Sequence, residues 1–150
     1  MLHILELVAG ILGLGVAFSR LPDAASALAI VTPTAVGLVG LLAFVRHFVF
    51  HESDAKRLGW ESTGAEFQYE VGFANLAVGL AGIYAANQDA SQAWIAAALA
   101  GGVFLALAGA YHVVEIVRDR NYAPGNTAIL ISDFGTPISL LVLLLATNAI

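Results

Sequence analysis

Five apolar runs separated by short polar clusters make up this chain, and each run is long enough to be read as one helix. The runs cover residues 2–19, 24–50, 66–86, 91–117 and 127–147. At a rise of about 1.5 Å per residue, roughly 20 apolar residues cross the hydrocarbon core of a bilayer. The pattern therefore predicts an all-α fold, a polytopic transmembrane helical bundle with about five spans. No linker, low-complexity tract or repeat interrupts it, so residues 1–150 read as a single transmembrane domain.

Two runs need comment. The first carries Glu6 near its start, and Ala25-Ser26-Ala27 downstream has the small residues of a leader-cleavage site. A leader, however, begins with basic residues and has no carboxylate where its apolar core starts, so the run is expected to remain as a helix. The second run is too long to lie straight across a thin core. Either Thr32 caps a new helix with Pro33 in its first position, or Pro33 kinks one longer helix. Glu52–Ala65 and Arg118–Asn126 read as charged loops, the latter turning at Pro124-Gly125, and Asn87-Gln88-Asp89 reads as a short polar turn.

Composition agrees with the pattern. Hydrophobic residues make up 59% of the chain and charged residues 11%, against about 25% charged in soluble domains. Mean hydropathy is +0.85. The absence of cysteine excludes disulfides, thiolate metal ligands and a cysteine nucleophile. With a net charge of -5 and no basic run, nothing suits nucleic acid. The glycines sit inside apolar runs rather than after a strand, which removes phosphate loops and dinucleotide-binding turns. The expected partner is the lipid bilayer of the cell (inner) membrane, with a second copy or another membrane subunit as a further partner. Alternating helices place Arg46, Lys56, Arg57, Arg118 and Arg120 on one side and Arg20 alone on the other. The excess of positive loops predicts a cytoplasmic N-terminus and a C-terminus outside. Ala98, Gly102, Ala106 and Ala110 recur every four residues and predict a ridge for close helix packing.

The same alternation has a chemical consequence. Glu6, His47, His51, Glu66, Glu70, His112, Glu115 and Asp133 all fall toward one membrane face. Glu66 and Glu70 lie about 40° apart on a helical wheel, and His112 and Glu115 about 60° apart. Ionised and unpaired in hydrocarbon, each such group would cost a few kcal/mol or more. Pro137 also removes the helical partner of the Asp133 carbonyl. Carboxylates beside imidazoles suit protons or a borderline divalent metal. Glu66, Glu70, His112, Glu115 and Asp133 are therefore candidate ligands, with Glu6, His47 and His51 as further members and a divalent metal ion as the candidate cofactor. Plainer roles stand beside these. Glu66 would favour the positive end of its helix, Glu6 would snorkel to the surface, His47 and His51 would lie at the interface, and His112 with Glu115 would close locally against Arg118 or Arg120. Trp60 and Trp94 read as interface anchors, Asn75 as an interhelical hydrogen-bonding residue, and Tyr69 and Tyr111 as donors near the acidic level.

The run FQYEVGFANL at Phe67–Leu76, followed by APGN at Ala123–Asn126 and by Ser132-Asp133, resembles an uncharacterised family of small prokaryotic membrane proteins with several predicted spans. The resemblance implies a membrane location and a helical architecture, and it assigns no catalytic residue. The residues support first an integral membrane protein with an interhelical acidic and histidine site near the cytoplasmic face. That site would bind a cation or protons and serve transport or permeation. The alternatives are an accessory or assembly subunit of a membrane complex and a membrane-embedded, metal-dependent oxidoreductase.

Overall fold

The computed structural model describes residues 2–60, 64–88 and 91–150. These form six helices: α1 (Leu2–Phe18), α2 (Ala24–Phe48), α3 (His51–Leu58), α4 (Ala65–Ala86), α5 (Ser91–Arg118) and α6 (Pro124–Ala146). Three of them, α2, α5 and α6, are long and apolar enough to cross a membrane, while α1 is a shorter apolar helix. Among the described residues there is no strand. Asp89 and Glu61–Thr63, parts of the polar turn and of the Glu52–Ala65 loop read from the sequence, lie outside the described residues.

Two expectations change. The segment after α2 is not wholly a loop: HESDAKRL forms α3, buries Asp54 and Leu58, and ends at Gly59, whose φ of 74° is left-handed backbone that glycine adopts without strain. Pro124-Gly125 likewise opens α6, with proline in the first turn, where its missing N–H is no loss.

Thr32 does not start a new helix. The chain runs through Pro33 as one helix with a π-type stretch over Thr32–Leu38. Thr32 Oγ1 donates to the Leu28 carbonyl at 2.6 Å, and Thr34 Oγ1 donates to that of Ile30 at 2.6 Å. Hydroxyls thus bond back to the preceding turn where proline disturbs the backbone ladder.

Glycine decides how the central pair packs. α2 lies along α4, with Gly37 and Gly40 meeting Gly79 and Gly82 backbone to backbone. A Cβ on Gly40 would come within 2.8 Å of the Gly79 Cα, and one on Gly82 within 2.6 Å of the Gly37 nitrogen. The buried face of α4 is Gln68, Gly72, Asn75, Gly79, Gly82 and Ala85. α5 packs along α6 through Gly102 and Gly109, the latter against Asp133 and Phe134. Of the expected ridge, Ala98 and Gly102 are buried, Ala106 is half-buried and Ala110 is exposed. The buried series drifts instead to Gly101, Gly109 and His112, because a four-residue repeat precesses around a helix of about 3.6 residues per turn.

The bundle has two unlike ends. One is an apolar plug of Ala17, Ala27, Leu28, Val31, Ala35, Val36, Ala98, Leu140, Leu143 and Leu144. At the other, Arg46, His47, Asp54, Gln68, His112, Glu115, Asn126 and Asp133 are all buried. Large apolar residues meanwhile face outward along α1, α5 and α6, among them Ile11, Leu12, Leu107 and Ile131. α1 packs on α2 and leaves a gap toward α5.

Candidate functional site

The buried polar end consists of two hydrogen-bonded groups of residues. The first centres on Asp54, brought inward by α3. Its carboxylate accepts both bonds from Arg46 Nη1 (2.8 and 2.7 Å) and further bonds from Arg57 Nε and Nη2 (3.0 and 2.9 Å). His47 Nδ1 lies 3.0 Å from its other oxygen and 2.7 Å from Gln68 Oε1. Because a carboxylate can only accept, the His47 proton sits on Nδ1. Arg46 also donates, through Nε, to Glu6 of α1 at 2.8 Å. Burial alone would raise the Asp54 carboxyl. The His47 hydrogen bond and the Arg46 charge outweigh it and hold the group well below the usual carboxylate range.

The second group centres on His112 of α5. Its Nδ1 lies 3.0 Å from Glu115 Oε2 and 2.6 Å from Asn126 Oδ1. The Asn126 amide nitrogen is already committed to the Asn121 carbonyl at 3.0 Å. Both neighbours of Nδ1 are therefore acceptors, and Nδ1 carries hydrogen. That assignment turns Nε2 toward Asp133 Oδ2, 3.8 Å away. The separation is too long for a hydrogen bond. Nε2 and Oδ2 make no hydrogen bond among the described residues; Asp133 accepts only a long one, at Oδ1, from Ser132 Oγ at 3.3 Å. Trp60 lies flat on the His112 ring, with centroids 5.4 Å apart and planes 9° from parallel.

A cavity of about 580 Å³ opens beside both groups. Glu6, Arg46, His47, His112 and Asp133 line its polar end. Its walls are largely apolar side chains of α1, α5 and α6, and several of these, including Leu7, Ile11, Leu107 and Ile131, are also exposed outward. The cavity thus shares lining residues with the outer surfaces of α1, α5 and α6.

The sequence-predicted residues divide clearly. Glu6, His47, His112, Glu115 and Asp133 belong to this layer. Glu66 and Glu70 do not: both are exposed on the outer side of α4. Their positions lie two residues from Gln68, about 200° around the wheel, so burying Gln68 turns them outward. His51 is half-buried, with Nδ1 on the Phe48 carbonyl at 3.2 Å and its ring against Tyr69. Asn75 donates to Val71 of its own helix rather than across helices. Tyr69 packs on Phe48 and His51, Tyr111 lines the cavity, and Trp60 is buried inside rather than anchored at an interface. Trp94 donates to the Ala85 carbonyl at 2.8 Å. His112 closes against Asn126 and Asp133, while Arg118 pairs with Asp119. Among the described residues, no group of three His, Asp or Glu side chains is placed to hold a metal ion.

Arg46, Asp54, Gln68 and Asn126 also belong to the layer, and none of them is among the site residues expected from the sequence. A signal existed for one: positions 68, 72, 75, 79 and 82 follow alternating spacings of four and three with small or amide residues throughout. That is the seam of a closely packed helix.

Together these features define a class: an all-helical protein with large apolar residues on its outer surface and a buried ionic layer at the head of a cavity. Residues 1–149 match DUF6790, a family of unknown function, and the chain belongs to that family. No curated protein and no solved structure matches it.

Proposed function

We propose that this chain is an integral membrane protein that holds an amphiphilic molecule in its interhelical cavity. The apolar body lies between α1, α5 and α6, and the polar head meets the His112–Asp133 pair. One observation carries this reading: apolar side chains make up most of the cavity lining, and Glu6, Arg46, His47, His112 and Asp133 bring the ionic layer to it. In a bilayer the gap between α1 and α5 faces lipid, so a hydrophobic molecule reaches it laterally without crossing water. A volume of about 580 Å³ falls within the range of about 300–1,000 Å³ found for small-molecule pockets. At the head, His112 Nε2 and Asp133 Oδ2 lie 3.8 Å apart without bonding each other, so both can take a polar head from the cavity. A polar head held there lies inside the bundle, and this is the basis for a role in transport or permeation.

The membrane topology is part of the proposal. Five crossings, by α1, α2, α4, α5 and α6, put the ionic layer and α3 at the cytoplasmic side and the apolar plug at the other. Since the chain lacks cysteine, single substitutions report the topology directly. A membrane-impermeant maleimide is expected to label Asn148→Cys in intact cells, and Lys56→Cys only after the membrane is opened. The reverse pattern overturns the orientation, and labelling of both in intact cells overturns the count.

Ligand binding is tested with triphenylphosphine oxide, a neutral hydrophobic molecule with one polar atom. Trp60 lines the cavity, so in the Trp94→Phe background its fluorescence reports occupancy. The expected result is a saturable change in lipid nanodiscs that disappears in Ala108→Phe, which fills the cavity wall. A change that never saturates, or that survives the filling, removes the amphiphile reading.

A further inference from the structure

Deeper in the cavity than the ionic layer there is a second polar level. Asn75 of α4 lines the cavity and is only 6% exposed. Its Nδ2 donates to the Val71 carbonyl at 2.9 Å. That bond fixes the amide, because the reverse orientation would set two carbonyl oxygens face to face. Oδ1 is left on the cavity side and accepts no hydrogen bond among the described residues. Two hydroxyls of α6, Thr136 and Ser139, line the same cavity and make no hydrogen bond among the described residues either. Elsewhere in the chain Thr32, Thr34 and Thr147 each donate to the carbonyl four residues earlier, which satisfies a hydroxyl inside an apolar helix. Depth brings the three groups together. Asn75 is seven residues beyond Gln68, which bonds His47 in the ionic layer, and Ser139 is six beyond Asp133. Both intervals are roughly 10 Å along a helix. Asn75 and Leu140, the neighbour of Ser139, also line one small void, so α4 and α6 meet at the same level there.

We infer that Asn75, Thr136 and Ser139 form a second polar subsite, which takes a hydroxyl carried on the apolar body of the ligand. The inference rests on the amphiphile reading above and names the ligand class: a hydrophobic alcohol or phenol whose hydroxyl lies away from its head. The count of donors and acceptors selects this group. Asn75 Oδ1 can only accept, whereas each α6 hydroxyl both donates and accepts. A ligand hydroxyl donates to Oδ1 and accepts from Ser139 or Thr136, so both of its capacities are used. A ketone or ether oxygen only accepts, and leaves Oδ1 without a donor. A methyl group at this level would bury all three polar groups without partners, which is costly away from water. None of the three side chains titrates, so the selection is by hydrogen bonding alone and involves no transfer of charge.

Three probes with one head test the subsite: triphenylphosphine oxide and its derivatives carrying a para-hydroxyl or a para-methoxy group on one ring. One ring with a hydrogen bond at each end spans the interval between the ionic layer and Asn75. Binding is measured by calorimetry with the full-length chain in lipid nanodiscs, and the heat of empty nanodiscs is subtracted. The hydroxyl probe is expected to bind about five- to tenfold more tightly than triphenylphosphine oxide, the worth of one net hydrogen bond. The methoxy probe should bind no more tightly than the parent. Asn75→Leu should abolish the hydroxyl preference and Ser139→Ala should reduce it, with the affinity for triphenylphosphine oxide unchanged in both. The comparison of probes on the unaltered chain needs no variant, and Ser139→Ala, at a half-buried position, still reports if Asn75→Leu does not fold. Equal binding of the hydroxyl and methoxy probes overturns the subsite, as does a hydroxyl preference that survives the substitutions. The amphiphile reading stands in both cases, provided that triphenylphosphine oxide binds saturably. If none of the three probes does, that reading fails and takes this inference with it.

Discussion

Asp54→Asn is expected to destabilise the protein by about 3–5 kcal/mol, the cost of breaking a buried ion pair by removing one partner. Asp54 is 2% exposed and receives Arg46, Arg57 and His47 at once. The substitution keeps the shape but leaves one buried arginine without its counter-charge. Arg46 has Glu6 as a second partner, which places the loss short of a fully orphaned charge. Thermal unfolding in detergent, followed by helical circular dichroism, measures it. Because Trp60 follows α3 directly, its fluorescence should shift in the variant before the bundle melts. Equal melting of variant and wild type would show that α3 is held by packing alone.

The pH dependence of the same group has a definite sign. The Asp54 carboxyl is held below the ordinary carboxylate range, so the folded state binds its proton less readily than the unfolded chain does. The stability it contributes is complete above the unfolded value, about 3.9, and is lost as pH falls through the lowered folded value. The advantage of wild type over Asp54→Asn should be constant above about pH 5 and shrink below about pH 4.

The second large effect is expected at Gly79. A Cβ there would lie 2.8 Å from the Leu41 nitrogen and 3.1 Å from the Gly37 carbonyl oxygen. These are backbone atoms, so relief requires α2 and α4 to separate. Gly79→Val is expected to cost about 3 kcal/mol, the upper part of the range for overpacking, and Gly79→Ala less. Gly15→Ala is the control, since its Cβ would meet nothing within 4 Å. If both alanine variants melt alike, the α2–α4 crossing is looser than the backbone contact implies.

Particular residues show how much was legible in the chain. The His112–Glu115 spacing brings both side chains to one face, and the local pair forms at 3.0 Å. Asp133 and Glu6 were grouped with it from helix alternation alone. On α4 the two carboxylates, Glu66 and Glu70, point to one face as the inner one, whereas the face through Gln68 is the one that is buried. The small-residue seam through Gly72 and Gly79 decides that rotation, since backbones approach only where side chains are absent. Asp54 was read as part of a charged loop, and nothing local distinguishes it from Glu52, its exposed neighbour in α3. Its burial follows from Arg46, eight residues earlier on a different helix.

Run lengths and composition by themselves determined the all-helical class and the apolar exterior, because both depend on the sum of many similar residues and tolerate error at any one. The tertiary structure alone decided the ionic layer and its cavity. A charge is tolerated in such an interior only beside its partner, and the partners here, Glu6 with Arg46, Arg46 with Asp54, and His112 with Asn126 and Asp133, come from different helices. Spacing along one helix carries no record of which neighbour packs against it.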